Sequence, residues 1–310
     1  MPRLIAFLMF TAVTCRNACG QCPETLTPGR ATSIPVRVIG KNKQVVDNLR
    51  PENFAVTVGG VPQTICGVFH EQTPVSLGIL FDTSGSMAGR QSDLLKITTS
   101  AIQQLLNSAV KTPNNEYLLQ YVNEHPTPVE FTSDVSRIRA GLAAKAKGKT
   151  ALLDAVYLAL NAMQRARYID RALLIVSDGL DNCSTHDLKD LERAFAEAPI
   201  PIFFVNPMEG WNSPLRGSPD EARARGELIQ FVNNSGGYTI VTQGTEHITT
   251  EMAKLAQAIF SPYLVVIATS RADITPHTVL HVKIIGLSPA PAALFRAIQF
   301  GKANDGAPKN

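Results

Sequence analysis

Short, fully apolar runs alternate with amphipathic stretches through the middle of the chain. Each run has the length of one strand, and the stretches between the runs carry apolar residues at helical spacing. Strands that are apolar on both faces predict a parallel sheet covered by helices on both sides, which is the doubly wound α/β architecture. The predicted strands are residues 75–81, 117–122, 172–176, 202–205 and 238–241, and the predicted helices are residues 93–110, 151–163, 187–196, 218–232 and 248–259.

The two flanks of this region have a different pattern. Residues 34–39, 54–58 and 61–68 alternate apolar and polar positions between glycine-containing turns, which predicts hairpins of a small antiparallel sheet. Strand patterns return at 263–268, 279–285 and 293–300 and could complete that sheet. We therefore expect an N-terminal β segment at 21–73, an α/β domain at 74–260 and a C-terminal β segment at 261–300. The polar tail, 301–310, is expected to be disordered.

The first twenty residues have the pattern of an export signal. Arg3 gives a positive start, residues 4–13 form an apolar core, and Ala18 and Gly20 are small residues that suit cleavage before Gln21. The alternative is a buried N-terminal helix. We expect an exported protein, located in the periplasm, in the cell envelope or outside the cell. No other stretch is apolar enough to span a bilayer, so no further membrane attachment is indicated.

Charge and cysteine content exclude several classes of protein. The 310 residues carry a formal net charge of +3, and no Lys/Arg cluster with interleaved aromatic residues is present, so nucleic acid is not an expected partner. Of five cysteines, three remain after the predicted cleavage. One disulfide is then possible, and Cys22–Cys66 is the natural pairing because both residues flank the N-terminal β segment. No Cys pair recurs at zinc-site spacing, so a structural zinc is not expected.

The first side chains that could bind a ligand lie where the first central strand ends, in the segment FDTSGSM at 81–87. Asp82, Ser84 and Ser86 follow that strand, Asp178 follows the third, and Thr150 precedes a helix. Ligands of open parallel sheets bind at the carboxyl ends of the strands. Two carboxylates and three hydroxyls suit Mg²⁺, which takes six oxygen ligands and retains some of its waters. Taken singly, each residue could instead cap a helix or form a turn.

Other ligands fit this rim less well. Gly148-Lys149-Thr150 resembles the end of a phosphate-binding loop, but that motif requires glycine at position 143, where Ala143 stands. Soft metals require Cys or His, and none of the six histidines lies in these loops. Asp154 and Asp181 lie near the same rim, where they could support the first ligands or occupy exposed positions.

The motif Asp82-Thr83-Ser84-Gly85-Ser86, followed by Thr150 and Asp178-Gly179, resembles the metal-ion-dependent adhesion site of von Willebrand factor A domains. The resemblance covers roughly residues 74–260. Residues 48–64, NLRPENFAVTVGGVPQT, are similar to the segment that precedes the domain in exported bacterial "VWFA-related" proteins.

This resemblance implies a doubly wound sheet with one antiparallel edge strand and a bound Mg²⁺, with Mn²⁺ or Ca²⁺ as alternatives. It implies that Ser84 and Ser86 coordinate the ion directly and that Asp82 and Asp178 bind it directly or through water. Thr150 would join or leave the ligand shell as the domain changes state. The implied partner is a protein that offers a carboxylate.

The leading interpretation is an exported, non-enzymatic, magnesium-dependent protein-binding or adhesion module. One alternative is a magnesium-dependent hydrolase of the aspartyl phosphotransferase type, which needs a second acid two residues after the first, where Ser84 stands. Another alternative is a structural envelope protein with a vestigial site. The long connection at 208–220 holds the only tryptophan, Trp211, which could contact a partner or cover a helix end.

Overall fold

A computed structural model describes residues 22, 31–40, 42–88, 93–109, 114–197, 199–207, 219–241, 245–269, 280–287 and 292–293. The predicted signal segment and the C-terminal tail lie outside the described residues. So do Trp211 with most of its connection, and all but the first residue of the predicted strand at 293–300.

The secondary structure follows the chain in three groups. The first group contains the strands β1 (Thr32–Val36), β2 (Val38–Ile39), β3 (Phe54–Val58), β4 (Val61–Pro62) and β5 (Ile65–His70). The second group contains the strands β6 (Ser76–Asp82), β7 (Glu116–Val122), β8 (Arg171–Val176), β9 (Ile202–Asn206) and β10 (Thr239–Val241). Its helices are α1 (Asp93–Ala109), α2 (Val135–Gly141), α3 (Leu152–Met163), α4 (Leu188–Glu197), α5 (Pro219–Asn234) and α6 (Thr245–Phe260). The third group contains the strands β11 (Tyr263–Ile267), β12 (Leu280–Ile284) and β13 (Ala292–Ala293).

The second group builds a five-stranded parallel sheet in the order β10-β9-β8-β6-β7. Successive side chains of β6 point to opposite faces, so the strand contributes to two apolar layers. Leu77, Ile79 and Phe81 pack with residues of α1 and α6, whereas Leu80 packs with residues of α3 and α5. Burial on both faces explains why the central strands have no polar alternation.

The chain leaves β6 toward one side of the sheet for β7 and toward the other side for β8, β9 and β10. The carboxyl end of β6 is therefore the topological switch point, where open α/β sheets hold their ligands. Both predictions for this region, the fold class and the mostly parallel sheet, are confirmed.

The first and third groups pair with each other in antiparallel sheets. β11 lies between β1 and β5, β12 pairs with β3, and β13 pairs with β2. Their inward side chains form one apolar core that includes Ile34, Phe54, Val265 and Leu280. A disulfide joins Cys22 to Cys66, as the cysteine count suggested.

A buried ion pair ties this antiparallel module to the parallel sheet. Arg37, between β1 and β2, pairs with Asp170 immediately before β8, and the two side chains are 5% and 3% exposed. The same guanidinium group donates to the carbonyl of Ile259 at the end of α6, at 2.9 Å. The ion pair therefore joins three elements that are distant in sequence.

The antiparallel edge strand implied by the family resemblance is reduced to a single bridge. Beside β7, Thr132 pairs with Tyr117 through two backbone hydrogen bonds of 2.7 and 2.8 Å. Pro126 and Pro128 precede Thr132, and proline has no N–H group to donate to a ladder. A longer edge strand is therefore not formed in this segment.

Three predicted elements have different bounds in the structure. The sequence pattern also predicts a helix over 138–146, and the observed α2 starts earlier, at Val135, and ends at Gly141, where any Cβ would lie 2.4 Å from Leu119. The expected strand over 61–68 divides into β4 and β5, and the one over 34–39 divides into β1 and β2. Among the described residues, no helix has the length and apolar character needed to cross a membrane.

Candidate metal centre

Asp82 is the last residue of β6 and is fully buried. Its Oδ1 accepts a hydrogen bond from the amide of Ser84 at 2.8 Å, and its Oδ2 accepts one from the hydroxyl of Ser177 at 2.5 Å. Ser177 belongs to the loop after β8, the neighbouring strand. The carboxylate is thus fixed between two loops at the switch point.

Ser86 lies in a short 3₁₀ turn (Gly85–Ala88), Ser84 directly precedes this turn, and their hydroxyl oxygens are 3.1 Å apart. Ser84 is fully buried, whereas Ser86 is exposed. Backbone hydrogen bonds hold this turn against the segment before α3, from the amide of Gly85 to the carbonyl of Gly148 and from the amide of Lys147 to the carbonyl of Thr83. Gly85 permits this approach, because a Cβ there would lie 3.0 Å from the carbonyl oxygen of Gly148.

Asp178 follows β8 and is also fully buried. Its Oδ1 accepts a hydrogen bond from the amide of Leu180 at 3.0 Å, and its Oδ2 is a buried oxygen without a hydrogen-bond partner. The amide group of Asn206, at the end of β9, donates to the backbone carbonyl of Asp178 at 2.7 Å. A buried carboxylate oxygen with no partner is costly, so its presence indicates a group that the protein alone does not supply.

The charge of Asp178 acts on Asp82. Burial, and to a smaller extent the nearby charge of Asp178, raise the pKa of Asp82 to about 6, against the hydrogen bonds from Ser177 and Ser84 that lower it. Within the described part of the chain, no Lys, Arg or His side chain forms an ion pair with either carboxylate. The site therefore concentrates negative charge that the described residues do not balance.

Thr150 is buried immediately before α3, and the loop after β8 determines its position. Its amide donates to the side chain of Asn182 at 2.9 Å, and its carbonyl accepts from the amides of Asn182 and Cys183 at 2.9 and 3.2 Å. The backbone of Thr150 is thus held from both sides by the loop that begins at Asp178.

The same loop caps α3 from outside the helix. Ala151 has no side chain that could cap α3, and the free amides of Leu153 and Asp154 instead donate to Asp181 and Ser184, at 2.8 and 3.1 Å. In return, the carboxylate of Asp154 accepts hydrogen bonds from Thr185 and His186. Asp154 and Asp181 therefore hold the loop after β8 against the first turn of α3, which a single-sequence pattern cannot reveal.

Replacing Asn182 with alanine is expected to displace Thr150 without unfolding the protein. The variant loses a hydrogen bond worth about 1 kcal/mol of stability. Affinity for Mg²⁺ should fall about tenfold, because groups that orient ligands typically contribute that much. The measurement is isothermal titration with Mg²⁺. The matched control is Asn161→Ala on α3, where the asparagine contacts only Gln164 among the described side chains and the affinity should stay unchanged.

These residues fit a small, hard cation. The site offers two buried carboxylates and three hydroxyls, and the unpartnered Oδ2 of Asp178 is an oxygen ligand without another role. No group of three or more His, Cys, Asp or Glu side chains in the described ranges is arranged to share a metal. Hydroxyl oxygens and water would therefore complete the ligand set around two carboxylates, a composition that suits Mg²⁺.

The structure places all five candidates at one edge of the sheet. Ser86, Ser84, Asp82 and Ser177 form a continuous chain of polar contacts, and Asp178 acts on Asp82 through its charge. Thr150 joins them through the backbone contacts of its preceding residues. Ser177, Asn182 and Asn206 were not identified as site residues from the sequence, because serine and asparagine after a strand are also common in ordinary turns.

Comparison with known proteins identifies the central region. Residues 77–180 match the family model for the von Willebrand factor type A domain, and this range includes all five predicted ligands, ending just after Asp178. A search of curated proteins gives no match.

Solved structures with some similarity in fold were also found. The PilB minor pilin from Streptococcus sanguinis is 13% identical with a TM-score of 0.42, covering 62% of each chain. BatB from Bacteroides thetaiotaomicron is 17% identical with a TM-score of 0.42, covering 59% of this chain and 99% of its own. Proximal thread matrix protein 1 from the mussel byssus is 12% identical with a TM-score of 0.45, covering 61% of this chain and 49% of its own. At these values the likenesses assign neither a function nor a location to this chain.

Proposed function

We propose that this chain, which contains a von Willebrand factor type A domain, binds Mg²⁺ at the end of β6 and uses the ion to hold an acidic group of a partner protein. Asp82, Ser84, Ser86, Thr150 and Asp178 would be the metal ligands. The bound ion would supply positive charge and an open coordination position for the partner's carboxylate. The protein would act as an adhesion or binding module and not as an enzyme.

The unpartnered Oδ2 of Asp178 is the observation that carries this proposal. Two adjacent buried carboxylates without a described counter-charge are unfavourable unless a cation or protons neutralise them. Neutral hydroxyls beside them add oxygen ligands without adding charge. A divalent ion would balance the two carboxylates, and because its other protein ligands are neutral it would keep an open coordination position for a third carboxylate from outside.

Thermal melts test the metal site directly. Magnesium at about 100 times its dissociation constant should stabilise the fold by about 2.7 kcal/mol, which corresponds to about 5–10 °C in Tm. Addition of EDTA should reverse the shift. Ser84→Ala together with Ser86→Ala should abolish the shift, while Ser108→Ala on α1, outside the site, should keep it. A wild-type protein whose Tm is unaffected by millimolar Mg²⁺ would contradict the proposal.

The absence of an acid two residues after Asp82 favours binding over phosphoryl transfer. Aspartyl phosphotransferases need a general acid two residues after the nucleophile, and Ser84, which occupies this position, has no acidic proton to deliver. Phosphatase assays with a panel of phosphate esters should therefore give no turnover above that of Asp82→Asn. Turnover that this substitution removes would establish the enzymatic alternative.

The disulfide supports the proposed export. Cys22 and Cys66 are bonded, and structural disulfides persist in oxidising compartments outside the cytosol. Cys22 lies just after the predicted cleavage site, so a mature chain that begins near Gln21 would keep this cysteine. N-terminal sequencing of the protein recovered from its native source tests this expectation, and a retained Met1 would overturn it.

A further inference from the structure

A cavity of about 580 Å³ opens beside the candidate metal centre. It lies between the start of α3, the loop from Gly179 to Lys189 and the first half of α5. Cavities of this volume are typical of sites that hold a small molecule or a few side chains of a partner.

Several residues that line the cavity follow the candidate metal ligands closely in sequence. Gly179 and Leu180, which directly follow the candidate ligand Asp178, belong to its wall. Leu152, two residues after the candidate ligand Thr150, also lines the cavity. A partner segment whose carboxylate reached the ion would therefore have its neighbouring residues close to the cavity.

The lining has an apolar floor and an acidic rim. Five leucines and Ala224 contribute the apolar surface. The lining as a whole carries five acidic and three basic side chains, which gives a net charge of −2 with His186 neutral, and the basic Arg225 is buried. Arg223 lies 4.0 Å from Asp220 and 3.9 Å from Glu227, so part of the basic charge is already engaged.

Two of the acids have no basic partner among the described residues. The carboxylate of Asp181 accepts hydrogen bonds from the amide of Leu153 and from the amide and hydroxyl of Ser184. The carboxylate of Asp187 accepts one from the amide of Asp190. These bonds hold both carboxylates in place at the rim.

We propose that this cavity is a subsite for a lysine or arginine side chain of the same partner segment that supplies the acidic residue. The methylene stem would lie on the leucine floor and the charged head would reach the acidic rim, which is the arrangement that long basic side chains favour. This inference rests on the proposed function. It specifies the partner further, as a segment with one acidic and one basic residue a few positions apart.

Binding of short synthetic peptides tests the subsite. Each peptide has blocked ends, one Glu and one variable residue, separated by one to four alanines, and the variable residue is Lys, Arg, norleucine or Gln. Dissociation constants are measured by fluorescence anisotropy at saturating Mg²⁺. At one or more spacings, the Lys or Arg peptide should bind about three- to tenfold more tightly than the norleucine peptide. The preference should decrease as salt rises, because exposed charges are screened.

Variants of the rim and of the floor identify the cavity as the source of this preference. Asp187→Asn keeps the hydrogen-bond acceptor for α4 but removes the charge, and should lower the affinity for the basic peptide about threefold while leaving the norleucine peptide unaffected. The matched control is Asp134→Asn, which caps α2 away from the cavity. Ala224→Trp should fill the cavity and remove the preference, whereas Gln230→Trp, on α5 outside the lining, should retain it.

The outcomes separate this inference from the function it rests on. A protein that Mg²⁺ stabilises, but that binds the norleucine peptides as tightly as the basic ones at every spacing, would overturn the subsite alone. Failure of every peptide to bind the Mg²⁺-loaded protein would overturn it as well. A wild-type protein that Mg²⁺ does not stabilise would overturn the proposed function together with the subsite.

Discussion

Replacing Arg37 with methionine is expected to destabilise the fold by about 3–5 kcal/mol at pH 7. The substitution leaves the carboxylate of Asp170 buried without its counter-charge, because the remaining described donors to that side chain are limited to the hydroxyl of Thr73 at 3.3 Å. It also removes the donor to the carbonyl of Ile259 at the end of α6. The loss should appear in chemical denaturation as a lower midpoint.

Two further variants separate the charge from the packing. Asp170→Asn combined with Arg37→Met leaves no unpaired charge and should recover at least about 2 kcal/mol of the sum of the single effects. Arg193→Met removes the exposed pair with Asp190 and should change stability by less than about 1 kcal/mol. Equal effects of Arg37→Met and Arg193→Met would show that the buried pair contributes no more to stability than an exposed pair.

Affinity for Mg²⁺ is expected to fall about tenfold for each pH unit below about 6. In the metal-free protein, the raised pKa of Asp82, about 6 against an ordinary value of 3.8, means that the folded state holds a proton more tightly than the unfolded state. The proton and the metal ion compete for the same carboxylate. Lowering the pH from 7 to 5 should therefore weaken Mg²⁺ binding by about tenfold.

The same shift predicts the opposite pH dependence for the stability of the metal-free protein. Above pH 6, Asp82 is ionised in both states, and the cost of its buried charge is fully present. As the pH falls from 7 toward 4, protonation in the folded state removes this cost, and the contribution reaches about 3 kcal/mol.

Comparison with Asp82→Asn isolates this group from the other carboxylates. At pH 7.5 in EDTA, the variant should be more stable than the wild type, and the difference should vanish near pH 4. The measurement is urea denaturation at several pH values. A variant that is less stable than the wild type at every pH would show that Asp82 is neutralised in another way.

The sequence predicted the central sheet well because its signal is local. Residues 75–81 are a continuous apolar run, and the observed β6 ends at Asp82, one residue later. The oxygen-bearing residues after that strand indicate the metal centre for the same reason, since the parallel topology brings strand ends to one edge. The disulfide between Cys22 and Cys66 could be suggested because few pairings were possible.

Contacts between distant segments could not be predicted. Asn182 holds Thr150 across a separation of 32 residues, and Ser177 reaches Asp82 across 95. No pattern of hydrophobic and polar positions encodes such pairs, since a serine or asparagine in a loop has many possible partners. The expected antiparallel edge strand came from the family resemblance, and the two prolines before Thr132 show why this chain departs from it.

The antiparallel module assembles from both flanks of the chain. Thr32 pairs directly with Ile267, although the residues of the whole parallel sheet lie between them in sequence. During synthesis or translocation that proceeds from the N-terminus, β1 and β5 emerge long before β11, the strand that lies between them. Their backbone groups stay open to wrong partners throughout that interval. Premature pairing between nascent copies is therefore a source of aggregation for this topology. Chaperones that bind exposed strand edges should increase the yield of native protein.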